Sequence, residues 1–410
     1  MKRLTLTAAV LAAVLIPWQQ AHAVSEAAVI WLLISPGSRP AGMGEAFVAV
    51  ADDASATWWN PAGLAFSEGN DVRIMHSNWL PAFNLNDIFF DFAAASWDMP
   101  SLDGKLGVSL IYLNEGDQTH TGENGEILGV ISSKEYAFGL SYGTKLNPEL
   151  GLGLSTKLIV SDLASGVKVG QQEAGTGYSF AVDLGMLWQT KLPLTERPLN
   201  LGFNLANVGP EISYADAAQA DPLPTNLKLG LALNAYGDEH NEVNLVFDVN
   251  KQLVHKELTN LTYLRDDLNE DDIENDLYWD DQGNLTEETA DGNGNAYDRA
   301  YEAEYETDPV FKALYSSWFP DGTKAELRNY IYNVGAEYWY RGEAGGLGKT
   351  AFGLRGGYLN DMAGHIKSYT LGMSLLVNMV SLDFSYEISA DKKNPSPRDK
   401  TIRYSLGFTF

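Results

Sequence analysis

The sequence predicts an all-β protein: a 14-stranded antiparallel transmembrane β-barrel with an N-terminal plug, or hatch, in its lumen. Three observations carry this expectation. The dominant period along the chain is two, so one face of each run is greasy and the other small or polar. The runs number 14, an even count of the kind found in single-chain bacterial barrels. Most match or exceed the roughly 9 to 11 residues that a tilted strand needs to cross a bilayer. A water-soluble β-sandwich alternates too, but its strands usually stop at about 5 to 6 residues.

Residues 1–23 read as an export signal. Lys2 and Arg3 start it, Leu4 to Ile16 is largely apolar, and Ala21-His22-Ala23 is a small-x-small cleavage pattern. The apolar run is shorter than the roughly 20 residues of a spanning helix. None of the 410 residues is cysteine, so stability must come from a large fold and not from disulfides. The formal net charge of −26, two units more negative without Lys2 and Arg3, excludes nucleic acid, whose phosphates require a basic footprint.

Residues 24–66 precede the first strand run and are expected to form the plug. Pro36, Pro40, Pro61 and several glycines disfavour long strands there, while the Gly and Ala content suits close packing inside a barrel. The barrel then occupies 67–410. Its runs fall at about 71–80, 86–98, 104–117, 134–148, 150–163, 175–190, 199–210, 225–236, 241–253, 327–342, 350–361, 366–377, 380–390 and 399–410. "YSFAVDLGMLW" sets Tyr178, Phe180, Val182, Leu184, Met186 and Trp188 against Ser179, Ala181, Asp183 and Gly185. Leu184 is therefore expected to face lipid, and Gly153, on the lumen side, to tolerate alanine.

The connections supply a parity check. With the N-terminus in the periplasm, the odd-numbered connections face outward, and they include the longest, around 117–133, 163–175, 209–224 and 253–327. The even ones include Asn147-Pro148-Glu149 and the turn at Asn378, short as periplasmic turns are.

The insertion at about 254–326 is a separate acidic module: from Arg265 to Asp308 it holds 17 Asp or Glu and only two arginines. Within it, Asp291, Asn293, Asn295 and Glu302 occupy positions 1, 3, 5 and 12 of an EF-hand-like loop and are candidate Ca2+ ligands, although Ala296 replaces the usual Gly and a solvated acidic loop is the plainer reading. Tyr297, Tyr301 and Tyr305 recur every four residues, which at helical spacing puts them on one face; with Trp318 they form a candidate partner surface, although packing of a loop helix onto the barrel rim is the plainer reading. No other cofactor is expected. The histidines of the mature chain stand alone, and no catalytic motif, phosphate loop or dinucleotide fingerprint appears, so no enzyme is expected.

One stretch narrows the reading. "SPGSRPAGMGEAFVAVADDASATWWNPAGLA", Ser35 to Ala65, resembles the N-terminal region of the PorV/PorQ family, within the FadL-like group of outer-membrane transporters. The plug motif that carries the resemblance is Asn60-Pro61-Ala62, preceded by Asp52 and Asp53. The terminal strand, with Phe408 and Phe410, resembles the signal read by the barrel assembly machinery. The resemblance implies a multi-pass protein of the bacterial outer membrane, in contact with its lipid. It implies one of two functions: type IX-like secretion, in which the barrel binds C-terminal domains of exported cargo and meets other secretion components, or uptake of hydrophobic small molecules such as fatty acids or aromatic hydrocarbons. Fold alone does not choose between them, but the resemblance in the plug is to PorV-like members, so secretion is the expected function and uptake the alternative.

Overall fold

The computed structural model describes residues 27–83, 87–121, 127–163, 168–169, 172–173, 175–214, 220–254, 256–263, 277–279, 285–287, 301–318, 329–343 and 348–410. The chain divides into two units, one of Ala27–Leu253 with Leu327–Phe410, the other of Met1–Glu26 with Val254–Glu326.

In the first unit, 14 strands close into an antiparallel barrel. Numbered along the wall they are β1 (Asp71–Asn78), β2 (Phe89–Met99), β3 (Gly104–Thr121), β4 (Ile127–Lys145), β5 (Leu150–Asp162), β6 (Gly177–Lys191), β7 (Pro198–Val208), β8 (Asn226–Gly237), β9 (Asn241–Gln252), β10 (Tyr330–Glu343), β11 (Lys349–Asp361), β12 (Ile366–Val377), β13 (Val380–Ser389) and β14 (Ile402–Thr409). Each pairs with its neighbour in sequence, and β14 returns to β1 with Phe408 opposite Val72. All 14 expected runs are barrel strands. Closure removes every sheet edge, as a structure without water at its flanks requires. No helix among the described residues is long and apolar enough to cross a membrane.

The two faces differ as the alternation demands. On β6, Tyr178, Phe180, Leu184, Met186 and Trp188 are exposed outward, while Ser179, Ala181, Asp183 and Leu187 are buried on the inner side. Exposed apolar side chains on this scale suit hydrocarbon and not water. The inner face is knit by small polar contacts such as Ser141 Oγ to Ser155 Oγ, 2.5 Å. Where β6 meets β7 the register shifts between Val182 and Leu184, and Lys157 Nζ reaches Asp183 at 2.8 Å and Asn207 Oδ1 at 2.6 Å.

The residues before β1 form only short pieces: 3-10 turns at Ile30–Leu33 and Pro61–Ala65, and single helical turns at Ser38–Ala41 and Ala56–Trp59. Their backbone lies against glycines of the wall. A Cβ built on Gly153 would sit 2.1 Å from Ala62 N, on Gly202 2.5 Å from Val48 O, on Gly335 2.4 Å from Met43 O, and on Gly357 2.1 Å from Gly44 N. These glycines belong to β5, β7, β10 and β11. The segment thus meets inward positions on four strands well separated around the ring. The same distances correct the expectation for Gly153: alanine has no room there, because backbone fills the space.

In the second unit, Lys256–Tyr263 pairs with Tyr301–Thr307, and Leu277–Trp279 with Leu285–Glu287. Helix α1, Val310–Ser316, follows, with Lys312 Nζ 2.5 Å from Asp308. Tyr301 and Tyr305 are therefore on a strand, not a helix. A spacing of four repeats on one face of either element, so the sequence pattern did not distinguish them.

Candidate functional site

The interface between the N-terminal segment and the inner wall gathers most of the buried charge. Its centre is Asn60, in extended backbone at the start of the Pro61–Ala65 turn. The Asn60 Oδ1 atom caps that turn by accepting from Ala62 N at 3.2 Å. The Nδ2 atom donates to Val48 O at 3.0 Å and to Met186 O on β6 at 3.1 Å. Pro61 takes the first helical position, where a missing N–H costs nothing. Ala62 is fully buried, and its backbone nitrogen lies where a Cβ on Gly153 or Gly185 would come within 2.1 or 3.0 Å. Each residue of the motif thus has its own packing reason.

The two aspartates divide their work. Asp52 accepts from Arg39 Nη1 at 2.5 Å, while the same guanidinium grips Glu337 on β10 at 2.8 and 3.0 Å. Glu337 also accepts from Arg355 Nε on β11 at 2.7 Å. Asp53 takes the Ser55 N–H at 2.9 Å and lies 3.9 Å from Arg73 on β1. Burial works to raise the Asp53 pKa, but the Arg73 and Arg39 charges outweigh it and hold the carboxyl below the usual range. Further along, Asp248 on β9 accepts the backbone N–H groups of Phe47 and Val48 at 2.7 and 2.9 Å.

A second cluster centres on Glu45. Its carboxylate accepts from Ser35 Oγ at 2.9 Å, from Arg403 on β14 at 3.2 Å, and from Arg398, which also donates to Glu387 on β13 at 2.9 Å. Burial again opposes ionisation, and the two arginines reverse the balance, so Glu45 sits below the ordinary glutamate pKa. Removing one partner of such a buried pair costs about 3 to 5 kcal/mol, because a charge is stranded. Lys228 on β8 lies 3.3 Å from the centre of the Trp58 ring and completes the contact on that side.

Sequence reasoning found Asp52, Asp53, Asn60, Pro61 and Ala62 but missed Arg39, Glu45, Glu337, Arg355, Arg398 and Arg403. A signal existed for the three on strands: Glu337, Arg355 and Arg403 occupy buried, inward positions of the alternation, where a charge needs a partner. Phe408 and Phe410 pack at a ring-centre distance of 5.3 Å, and Phe410 exchanges backbone hydrogen bonds with Asn70. Of the candidate calcium ligands, Asp291, Asn293 and Asn295 lie outside the described residues, and Glu302 lies on the Tyr301–Thr307 strand. Tyr297 also lies outside them, while Trp318 is exposed. Among the described residues no group of three or more His, Cys, Asp or Glu could hold a metal ion.

A closed antiparallel barrel with an apolar outer face defines a transmembrane barrel of the bacterial outer-membrane type. The model of the type IX secretion system protein PorV matches residues 17–259, more than half of the chain, and the chain belongs to that family. No curated protein matches it. Among solved structures it is similar to the Ralstonia pickettii toluene transporter TbuX, with 12% identity over 92% of this chain and 98% of that one and a TM-score of 0.45. Others are the Pseudomonas putida toluene transporter TodX, 11% identical over 91% and 96% with a TM-score of 0.44, and a Pseudomonas aeruginosa FadL homologue, 9% identical over 91% and 98% with a TM-score of 0.43.

Proposed function

We propose that the protein binds exported cargo at the outer membrane in a type IX-like secretion route, its lumen closed by residues 24–66 acting as a plug. Family membership supports the secretion role. The observation that carries the closed lumen is the glycine contact: at Gly153 and Gly357 even a methyl group would overlap the backbone of the segment. A barrel filled in this way acts through its rim and outer loops. Its partners are then the C-terminal domains of cargo and other secretion components, with membrane lipid around the wall and the assembly machinery during biogenesis. Calcium bound in the acidic module belongs to the same proposal, and titration calorimetry on the whole protein without Ca2+ heat would remove it. This role includes no catalytic step.

The test is purification from outer membranes in mild detergent, followed by mass spectrometry of what co-elutes. Exported proteins that share one C-terminal domain support the cargo role. Stoichiometric apolar ligand without a protein partner would replace it with uptake of hydrophobic compounds. One observation favours that second reading: Phe90, Phe92, Ile111, Leu113 and Ile159 on the inner wall form an apolar cluster with Trp31 and Leu32 of the plug.

A further inference from the structure

We propose that the outer wall across β1, β2 and β3 carries a lipid site, which seats one acyl chain along β2 and a phosphoethanolamine head against His76, Asp91 and Tyr112.

The seat for the chain follows from the register. Outward residues of the three strands stand in rows: Val72, Ala95 and Val108; then Ile74, Ala93 and Leu110; then His76, Asp91 and Tyr112. In the first two rows an alanine methyl stands between two branched side chains. The outer face of β2 is therefore the floor of a furrow, with ridges on β1 and β3. Its upper part is a depression of about 420 Å³ lined by Ile74, Ala93, Leu110 and the His76 row. Small-molecule sites span about 300 to 1,000 Å³. From Asp91 down to Trp97 the furrow runs about 20 Å at ~3.3 Å per residue. That exceeds the ~15 Å half-thickness of a roughly 30 Å hydrocarbon core, so it accommodates the chain of one leaflet.

The upper row is polar where the wall is otherwise greasy. Asp91 lies about 20 Å above Met99, at the short-turn end of β2, for a strand tilted ~40°. The row thus faces outward within an apolar band about 25 Å tall. Ionisable groups at such a depth are costly unless a polar partner meets them. Asp91 Oδ1 holds His76 Nδ1 at 2.7 Å, and Phe89 covers the row with its ring centre 5.8 Å from those of both His76 and Tyr112. Asp91 Oδ2, His76 Nε2 and the Tyr112 hydroxyl are left for a ligand.

These three groups match a zwitterionic head. Its ammonium donates to Asp91 Oδ2, and its phosphate accepts from the Tyr112 hydroxyl and from the His76 ring in its protonated form. A purely anionic head would set phosphate beside Asp91 and give the carboxylate nothing to accept. The row also lies toward the β1–β2 connection, at the end of the barrel that carries the long connections, the cell-surface end in such barrels. A lipid seated here points its head to the surface and its chain to the bilayer centre, the orientation of the outer leaflet.

The test compares photoreactive p-benzoylphenylalanine at Leu110, on the furrow wall, with the same probe at Leu229, exposed on the outer face of β8. The purified full-length protein is reconstituted in vesicles of equal parts phosphatidylethanolamine and phosphatidylglycerol with matched chains. After irradiation the adducts are weighed by mass spectrometry, and heat-modifiable gel mobility confirms that each variant is folded. The ratio of ethanolamine to glycerol adducts is expected to be severalfold higher at Leu110 than at Leu229. Asp91→Asn with His76→Gln is expected to bring the two positions level, and Ala93→Phe to lower the ethanolamine adduct at Leu110 by filling the furrow. Equal ratios at Leu110 and Leu229 overturn the choice of head. A ratio at Leu110 that survives the Asp91 and His76 changes overturns the role of the polar row, and one that survives Ala93→Phe overturns the furrow. Irradiation in native outer membranes separates the occupants. A protein adduct at Leu110 overturns a lipid, whereas a phosphoethanolamine adduct supports one, its mass telling a glycerophospholipid from another lipid with the same head.

Discussion

The side-chain amide of Asn60 donates to the main-chain carbonyl of Met186 at 3.1 Å, so that one residue of the N-terminal segment is bonded to the backbone of β6. A carbonyl inside a regular strand already serves its neighbour, and its second lone pair is what the N-terminal segment uses. The contact survives any change of side chain at Met186. It does not survive a change at Asn60.

Asn60→Ala removes two donors and a cap at once. Each buried group left unsatisfied costs about 1 to 3 kcal/mol. The thermal midpoint in detergent micelles is expected to fall, and Asn60→Asp, which keeps the acceptor for Ala62 N, to fall less. Equal midpoints for wild type and Asn60→Ala would show that the amide contributes nothing to the closed state.

Steric room separates two glycines of the same wall. A Cβ on Gly185 would lie 2.3 Å from Asn60 Oδ1, whereas on Gly129 it meets nothing within 4 Å. Overpacking of this kind costs about 1 to 3 kcal/mol. Gly185→Ala is expected to lower the unfolding midpoint and Gly129→Ala to leave it in place, read by heat-modifiable mobility across a temperature series. Indistinguishable variants would mean that the segment does not press on β6.

Leu184 is 48% exposed on the outer face of β6. Arginine there costs about 2 to 4 kcal/mol if the position lies near the bilayer midplane. Leu184→Arg is expected to reduce the folded fraction in outer-membrane extracts, with Leu184→Val close to wild type. Normal folding of Leu184→Arg would contradict a lipid-facing position.

Acid should loosen the plug before it unfolds a barrel wall made of backbone hydrogen bonds. Glu45 and Asp53 have folded pKa values below their unfolded ones, because arginine charges outweigh the cost of burial. Their stabilisation is complete above the unfolded values, near pH 4, and is lost as pH falls through the depressed folded values. The melting temperature is expected to drop on acidification in that window, and Glu45→Gln to flatten the drop. An unaltered profile in Glu45→Gln would exclude Glu45 as its source.

The barrel was legible because a period of two survives in every strand and needs no knowledge of neighbours. The motif Asn60-Pro61-Ala62 was legible as a turn for the same local reason. What stayed hidden depends on pairing between distant residues. Glu45 and Arg398 are 353 positions apart, and nothing local in "MGEAF" or "PSPRDK" announces a shared ion pair. Gly153 misled for a related cause: alternation places it inside, but only the fold reveals the backbone already there. Tyr301 and Tyr305 failed differently, since a spacing of four fits both a strand and a helix.

The ring closes where Phe410 and Asn70 exchange backbone hydrogen bonds at 2.8 and 2.9 Å, and the segment it encloses precedes β1 in the chain. With the segment as the proposed plug, we infer an order of events. A plug that leaves no space for a methyl group at Gly153, Gly202, Gly335 and Gly357 is hard to thread into a finished cylinder. If the segment is the plug proposed above, it serves as a mandrel: the sheet wraps around it, and the first and last strands form the final seam. Until that seam is sewn, the half-wrapped sheet has two open edges, and the interval during which they stay open is when the nascent protein most needs an escort.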